Sequence, residues 1–351
     1  MPDPISINQD FFDRCVRDQS LVALHLAEHL VPIEGKDEPF FPPTFATTGK
    51  ETPYATDTMA DGTKTVLVDS VGSQANRMEP LFLSEELSEL VPQITIGYSD
   101  KKAGIEGSVS LLEAGHRLGD ALVRCTALAQ EAGDAFKSQQ RGNAEPIARV
   151  APTSLVFGVW DSRETGTKLP RILQSSIRAW NISELRRSAQ YFPPVDYKSL
   201  GIISEKDDNG KSPVAQRGYG AVPARDNPGG VVAHGGIRRN TTVNLVALRR
   251  LGAERPDELR RYLLGLALVA AGEPQDPFLR QGCVLVPDTD EPSTWSLVHR
   301  DGRRSPLEWS QEAVRSLAKS AAEDFGVGDD RQLEFDKKLA TADTKAKKKG
   351  E

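Results

Sequence analysis

Six cations, Arg163, Lys168, Arg171, Arg178, Arg186 and Arg187, lie between Ala151 and Tyr191 among Trp160, Trp180 and Tyr191, against three acids, Asp161, Glu164 and Glu184. Guanidinium and ammonium groups neutralise phosphates, and flat aromatic faces give bases and sugars a place to rest. The mixture is the chemistry of a nucleic-acid surface. Trp160 closes an apolar run and is expected in the core. The remaining weight of that surface falls on the six cations.

A second group, Ser73, Gln74, Asn76 and Arg77, follows an apolar run and opens a helix. Unpaired backbone N–H groups and the helix dipole favour an anion at such a point. The same spacing equally describes ordinary capping. Arg117 and Arg124, seven residues apart on one helical face, either extend a basic track or form a solvated face.

His25, Glu28 and His29 match the HxxEH pattern, in which two histidines one helical turn apart hold zinc and the Glu activates water. No third ligand announces itself, so ordinary core or surface histidines are expected and no metal. The glycine pairs Gly229–Gly230 and Gly235–Gly236 lack the Lys-Ser/Thr that would complete a phosphate-cradling loop, and Gly218-Tyr219-Gly220 is a turn signal. No cofactor and no nucleotide hydrolysis is expected.

The charge around these groups is segregated. The chain of 351 residues has net charge -6, yet residues 1–100 carry 6 basic and 17 acidic side chains, net -11, whereas residues 160–261 carry 18 and 11, net +7. A chain that needed only solubility could scatter both signs. One face for a polyanion and another for a different partner, or for a second copy, is the expectation. Hydrophobic content of 38%, with Gly 29 and Pro 23, reads as globular with long loops. No apolar stretch approaches eighteen residues and the first residues lack a leader pattern, so a cytoplasmic protein without membrane contact is expected. Cys15, Cys125 and Cys283 are too scattered for a zinc site and read as reduced structural thiols.

The elements that position these groups read as follows. Ser20 caps a short helix, LVALHLAEHL; residues 34–62 are a polar, Pro-rich loop. KTVLVD is a strand leading through a loop into a helix, and QITIGY is a second strand. Gly107 to Gln130 places Leu111, Leu118, Leu122 and Cys125 on one stripe, a long amphipathic helix. Ser154 to Trp160 and RILQSSIRAW are strands, and residues 201–236 form a functional loop or extended hairpin. IRRNTTVNLVALRRL is a long strand, and PDELRRYLLGLALVAAG a helix with Pro256 in its first turn. CVLVP and TWSLVH make a hairpin, Pro306 to Phe325 is a final helix, and residues 337–351 form a disordered basic tail. This order fits an α+β fold: a ferredoxin-like, RNA-recognition-motif core with insertions rather than a doubly wound parallel sheet.

Over LVDSVGSQANRMEP, PTSLVFGVWDSRETGTKLPRILQSSIRAW and RRSAQYFPPVDY the chain resembles the backbone subunit of type I-G (formerly I-U) CRISPR surveillance complexes, the Cascade assemblies. That family belongs to the RAMP superfamily and to Cas family seven. The likeness runs from about Thr65 to Tyr197 and more weakly to about Asp290. It implies one elaborated domain, 1–336, with an RNA-recognition-motif palm, a helical finger insertion at about 101–150 and a hairpin thumb at about 201–240.

It also implies a non-catalytic role in antiviral defence. Copies would assemble as a helical filament along one CRISPR RNA, with other Cascade subunits, and present the guide for pairing with target DNA. The expected RNA contacts are Ser73, Gln74, Asn76, Arg77, Arg117, Arg163, Lys168, Arg171, Arg178, Arg186, Arg187, Gln190, Arg238 and Arg239. Two alternatives stand beside this reading. One is a target-RNA endoribonuclease using Asp69, which holds a place comparable to the loop Asp of type III backbones. The other is a zinc peptidase built on His25, Glu28 and His29.

Overall fold

A computed structural model describes residues 3–45, 53–206 and 212–346. Parts of the two expected loops, 46–52 and 207–211, and the tail end 347–351 lie outside the described residues.

The chain opens with β1 (Ile5–Ser6) and α1 (Gln9–Arg17), whose N-cap Asn8 accepts the Phe11 N–H through its side chain. Next comes β2 (Leu21–Pro32), a strand where the spacing of LVALHLAEHL suggested a helix. Both its edges are paired, one along Ile237–Asn244 and the other along Cys283–Pro287 and Thr294–His299. Ladders on both sides override the local preference of a Leu- and Ala-rich segment.

β3 (Thr56–Thr58) and β4 (Lys64–Asp69) follow, then α2 (Val71–Met78), capped by Ser70, whose hydroxyl accepts the Ser73 N–H at 3.2 Å. β5 (Ile94–Asp100) and β6 (Ile105–Ser110) form a hairpin.

The long helix expected over 107–130 is absent. In its place stand β6, 3-10 turns at Leu111–Glu113 and Arg117–Gly119, and α3 (Ala121–Arg124). Ser110 and Glu113 close a capping box around a single turn, and Arg117 takes φ +54°, which no helix continues through. α4 (Ala129–Gln140), α5 (Glu145–Val150) and α6 (Pro152–Phe157) complete this region. α6 occupies most of the segment expected as a strand. All six of its residues are buried, so its apolar run has no period to read, and Pro152 starts the helix.

β7 (Val159–Trp160) and β8 (Lys168–Leu169) make a small hairpin ahead of β9 (Leu173–Trp180), the strand expected there. β10 (Ile182–Tyr191) and β11 (Val222–Ala233) pair as a two-stranded ribbon, and β12 (Ile237–Asn244) returns beside β9. β12 is shorter than expected because Asn244 turns the chain, its side chain accepting the Ala247 N–H to cap α7 (Leu245–Arg249). α8 (Pro256–Gly272) follows as expected.

β13 (Phe278–Arg280), β14 (Cys283–Pro287), β15 (Thr294–His299) and β16 (Arg304–Glu308) come next. β14 and β15 do not pair with each other; both lie along β2. Pro306 belongs to β16, and α9 (Gln311–Phe325) begins after its cap Ser310. β17 (Arg331–Glu334) adds in parallel to β5, and α10 (Lys337–Ala346) ends the described chain.

The main sheet runs β1-β16-β15-β2-β12-β9-β4-β3, antiparallel except for β1 with β16. Strand alternation divides β12. Ile237, Arg239, Thr241 and Val243 face inward, while Arg238, Asn240 and Thr242 share the opposite face with Arg178, His29 and His25, their neighbours in register. The inward face packs on the helices in a core that includes Leu24, Leu26, Leu173, Val243 and most of α8. At its centre Tyr262 stacks on Phe325 at 4.9 Å and donates to the Leu90 carbonyl at 2.8 Å. Gly265 lets α8 approach α9, for a Cβ there would sit 2.8 Å from Ala318 Cα.

The ribbon continues the β9/β12 pair beyond the sheet. Asn181 at φ +48° and Gly235, where a Cβ would lie 2.9 Å from the Trp180 carbonyl oxygen, make the bend. Ten residues of β10 at about 3.3 Å each reach about 30 Å. Tyr54, which accepts the Gly230 N–H through its hydroxyl at 2.9 Å, and Phe40, bridged to Val231, anchor the near half. Phe192, 68% exposed, follows directly on β10, and Leu200 and Ile202 are exposed further along the segment joining the two strands.

The three cysteines are free and buried, and burial pushes Cys15 to about 12 and Cys283 to about 11. No described helix is long and apolar enough to cross a membrane.

Candidate nucleic-acid interface

The exposed members of the expected set follow the chain from β7 to β12. The β7–β8 hairpin presents Arg163 and Lys168, and Arg171 follows it. Asp161 shapes its loop. Burial would raise this carboxyl's pKa, but the backbone and hydroxyl of Thr165, with the N–H groups of Glu164 and Arg163, outweigh it and hold the pKa below the usual range. Trp160, expected in the core, is 57% exposed, with the Lys168 ammonium 5.6 Å from its ring centroid. A two-residue strand on a surface hairpin has no second layer to cover the indole.

On the open sheet face Arg238 stands directly opposite Arg178, and its guanidinium lies 6.0 Å from the Trp180 ring centroid. Arg178 pairs with Asp57 at 3.1 Å. The ribbon adds Arg186, Arg187 and Gln190, all exposed, with Arg186 donating to the Asp226 carbonyl at 3.3 Å. Among the described residues Arg163, Lys168, Arg171, Arg187 and Arg238 form no ion pair, while Arg178 and Arg186 do. Five unneutralised cations on one path, with two tryptophans, can neutralise phosphates and stack bases.

Four expected contacts are placed elsewhere. Gln74 is buried, donating to Asp69 at 2.8 Å and accepting from Ser175 at 2.9 Å. Arg77 is half-buried, bonded to Asp69 at 3.2 Å and to the Leu279 carbonyl at 2.7 Å. Arg239 is 5% exposed on the inward face of β12 and pairs with Glu28 at 2.5 Å. These three line a cavity of about 370 Å³ bounded by Leu30, Ile177 and Leu279. Three of its lining charges are ion-paired, Arg77 with Asp69, Arg239 with Glu28 and Glu273 with Arg315. Arg280, which no sequence motif singles out, completes the group by donating to Asp69 at 3.4 Å. Ser73 is half-buried in the first turn of α2, and Asn76 is exposed.

Arg117 is the fourth, 5% exposed with its guanidinium 5.4 Å from the Phe157 ring centroid. It meets Glu79, directly after α2, at 2.6 Å and donates to the Gly158 carbonyl at 3.2 Å. Burial pushes the Glu79 carboxyl up to about 7, against the opposing pull of Arg117 and the Thr153 hydroxyl. Unfolded, that carboxyl returns to its ordinary 4.5. Between these values the folded state holds a proton that the unfolded state has released. Stability should therefore fall as pH rises from about 5 to about 7.5, by on the order of 3 kcal/mol. Glu79→Gln should flatten that part of the curve; identical urea midpoints for wild type and variant at both ends of the window would count against this.

The HxxEH residues do not assemble. On a strand His25 and His29 share the open face while Glu28 points inward to Arg239. His29 pairs with Glu291 at 2.9 Å. Among the described residues no cluster of three or more His, Cys, Asp or Glu could hold a metal ion. Asp69, 1% exposed, is engaged by Gln74, Arg77 and Arg280.

Residues 24–184 match the family model described as CRISPR-associated protein GSU0053. The matched stretch runs from β2 to the start of β10 and contains α2, Trp160, Lys168, Arg171 and Arg178. No curated protein matches the chain. The chain is similar to a CRISPR-associated protein over that stretch.

Proposed function

We propose that this chain is a non-catalytic RNA-binding subunit of a CRISPR RNA-guided complex, the type I-G backbone of Cas family seven. The carrying observation is the path of unpaired cations with the exposed Trp160 and the half-buried Trp180 from β7 to β12 in a chain of net charge -6, largely inside the stretch that resembles a CRISPR-associated protein. The main sheet with its helices is the palm of this reading, the region 101–150 its finger and the β10–β11 ribbon its thumb. The exposed apolar residues beyond the ribbon support assembly of several copies along one guide, with other Cascade subunits.

Arginine and lysine on phosphate position the guide without reading it, and pairing with target DNA supplies specificity. Two single-stranded RNAs of unrelated sequence should therefore bind with affinities within a few fold of each other. Both affinities should fall steeply as salt rises. A strong preference for one sequence, or affinity unchanged between low and moderate salt, overturns the proposal.

A further inference from the structure

We propose that Asn76, Trp160, Lys168 and Arg171 form one preassembled site for a single ribonucleotide, and that the buried Glu79–Arg117 pair is the device that positions it. This rests on the RNA-binding reading and deepens it. Four chain segments distant in sequence meet around Arg117. Its Nη2 is 3.5 Å from the Asn76 Oδ1, its Nη1 donates to the Gly158 carbonyl, and its Nε lies against Glu79. Gly158, at φ +81°, is where the chain leaves α6 for the β7–β8 hairpin, and a Cβ on it would sit 2.9 Å from Arg171 Cγ. A Cβ on Gly119 would sit 2.9 Å from the Trp160 carbonyl oxygen. The exposed side chains of α2 and of the hairpin are therefore mounted on the same buried cation.

Each member supplies a different part of nucleotide chemistry. The exposed indole of Trp160 offers a stacking face, and Lys168 and Arg171 carry unneutralised charge for the flanking phosphates. Asn76 is exposed and carries both a donor and an acceptor, which suits a ribose 2′-hydroxyl. Arg117 and Glu79 are too deeply buried to touch the ligand. They are positioning residues, and their cost is visible: Arg117 holds a left-handed backbone, and one oxygen of Glu79 is buried without a hydrogen-bond partner.

The test uses the full chain and a fluorescently labelled single-stranded oligouridylate. Lys168→Ala/Arg171→Ala should lower the slope of log affinity against log salt by about 1.4, the loss of two contacts at about 0.7 each on a single strand. Trp160→Leu should weaken binding about tenfold with the slope unchanged. Arg117→Met should reproduce the slope change of the double variant, and the combined triple variant should bind no worse than the double. A substitution that only loosened the fold would lower the melting temperature and leave the slope alone. Should Arg117→Met fail to fold, Glu79→Gln makes the same comparison.

Normal affinity and slope in the positioning variants, or effects that add in the triple variant, would overturn the proposal. Wild type that binds no oligouridylate would instead remove the RNA-binding reading itself. Wild-type binding left intact by Lys168→Ala/Arg171→Ala would remove this site alone.

Discussion

Replacing Lys168, Arg171, Arg187 and Arg238 together by alanine is expected to weaken RNA binding by about two orders of magnitude at physiological salt. The estimate follows from counterion release: four lost contacts at about 0.7 each remove about 2.8 from the salt slope, worth about 200-fold between 1 M and 0.15 M salt. Each of the four is free of ion pairs and away from the core, so its removal leaves no buried carboxylate unpaired. Melting temperature should stay within the range of ordinary surface substitutions. The matched control is Arg239, where loss of an arginine should appear as loss of stability. An RNA affinity within threefold of wild type for the fourfold variant would sink the assignment of this path.

Asp69→Ala should destabilise the fold by about 3–5 kcal/mol, the cost of leaving buried or half-buried cations without their carboxylate. Asp69 accepts from Gln74 and Arg77 on one oxygen and from Arg280 on the other. Through Gln74 the network continues to Ser175 and Thr241 on β9 and β12. One carboxylate thus ties α2 and β13 to the middle of the sheet. Asp69→Asn preserves shape but has one acceptor oxygen in place of two, and should fall between wild type and the alanine variant. Urea denaturation separates the three. A nuclease Asp would behave in the opposite way, its alanine variant keeping stability and losing regularly spaced cleavage of complementary RNA in Mg²⁺.

Elements with a strong local signal were legible in the sequence. KTVLVD and LQSSIRAW carry β-branched residues or clean alternation and are β4 and β9, and Pro256 opens the apolar run that becomes α8. Where the signal was degenerate, the reading failed for a physical reason. Leu21, Leu24 and Leu30 fit a helix as well as a strand, and two paired edges decided for the strand. TSLVF fits a buried strand as well as a buried helix, and Pro152 with the surrounding core decided for the helix. The expected hairpin of CVLVP and TWSLVH failed because β2 is long enough to pair with both in succession.

For the interface, composition alone established that cations and aromatics are concentrated between Ala151 and Arg239 in an otherwise acidic chain, and no Lys-Ser/Thr completes a phosphate loop there. Charge and aromatic content are sums over residues and need no fold. Which of those cations meets solvent was decided only by the tertiary structure. An arginine's availability depends on its carboxylate partner, and the partners lie far away in sequence: Glu28 for Arg239, and Glu79 for Arg117. The fold also took Trp160 out of the core and put it beside Lys168, because a hairpin of two-residue strands has no layer to bury it in.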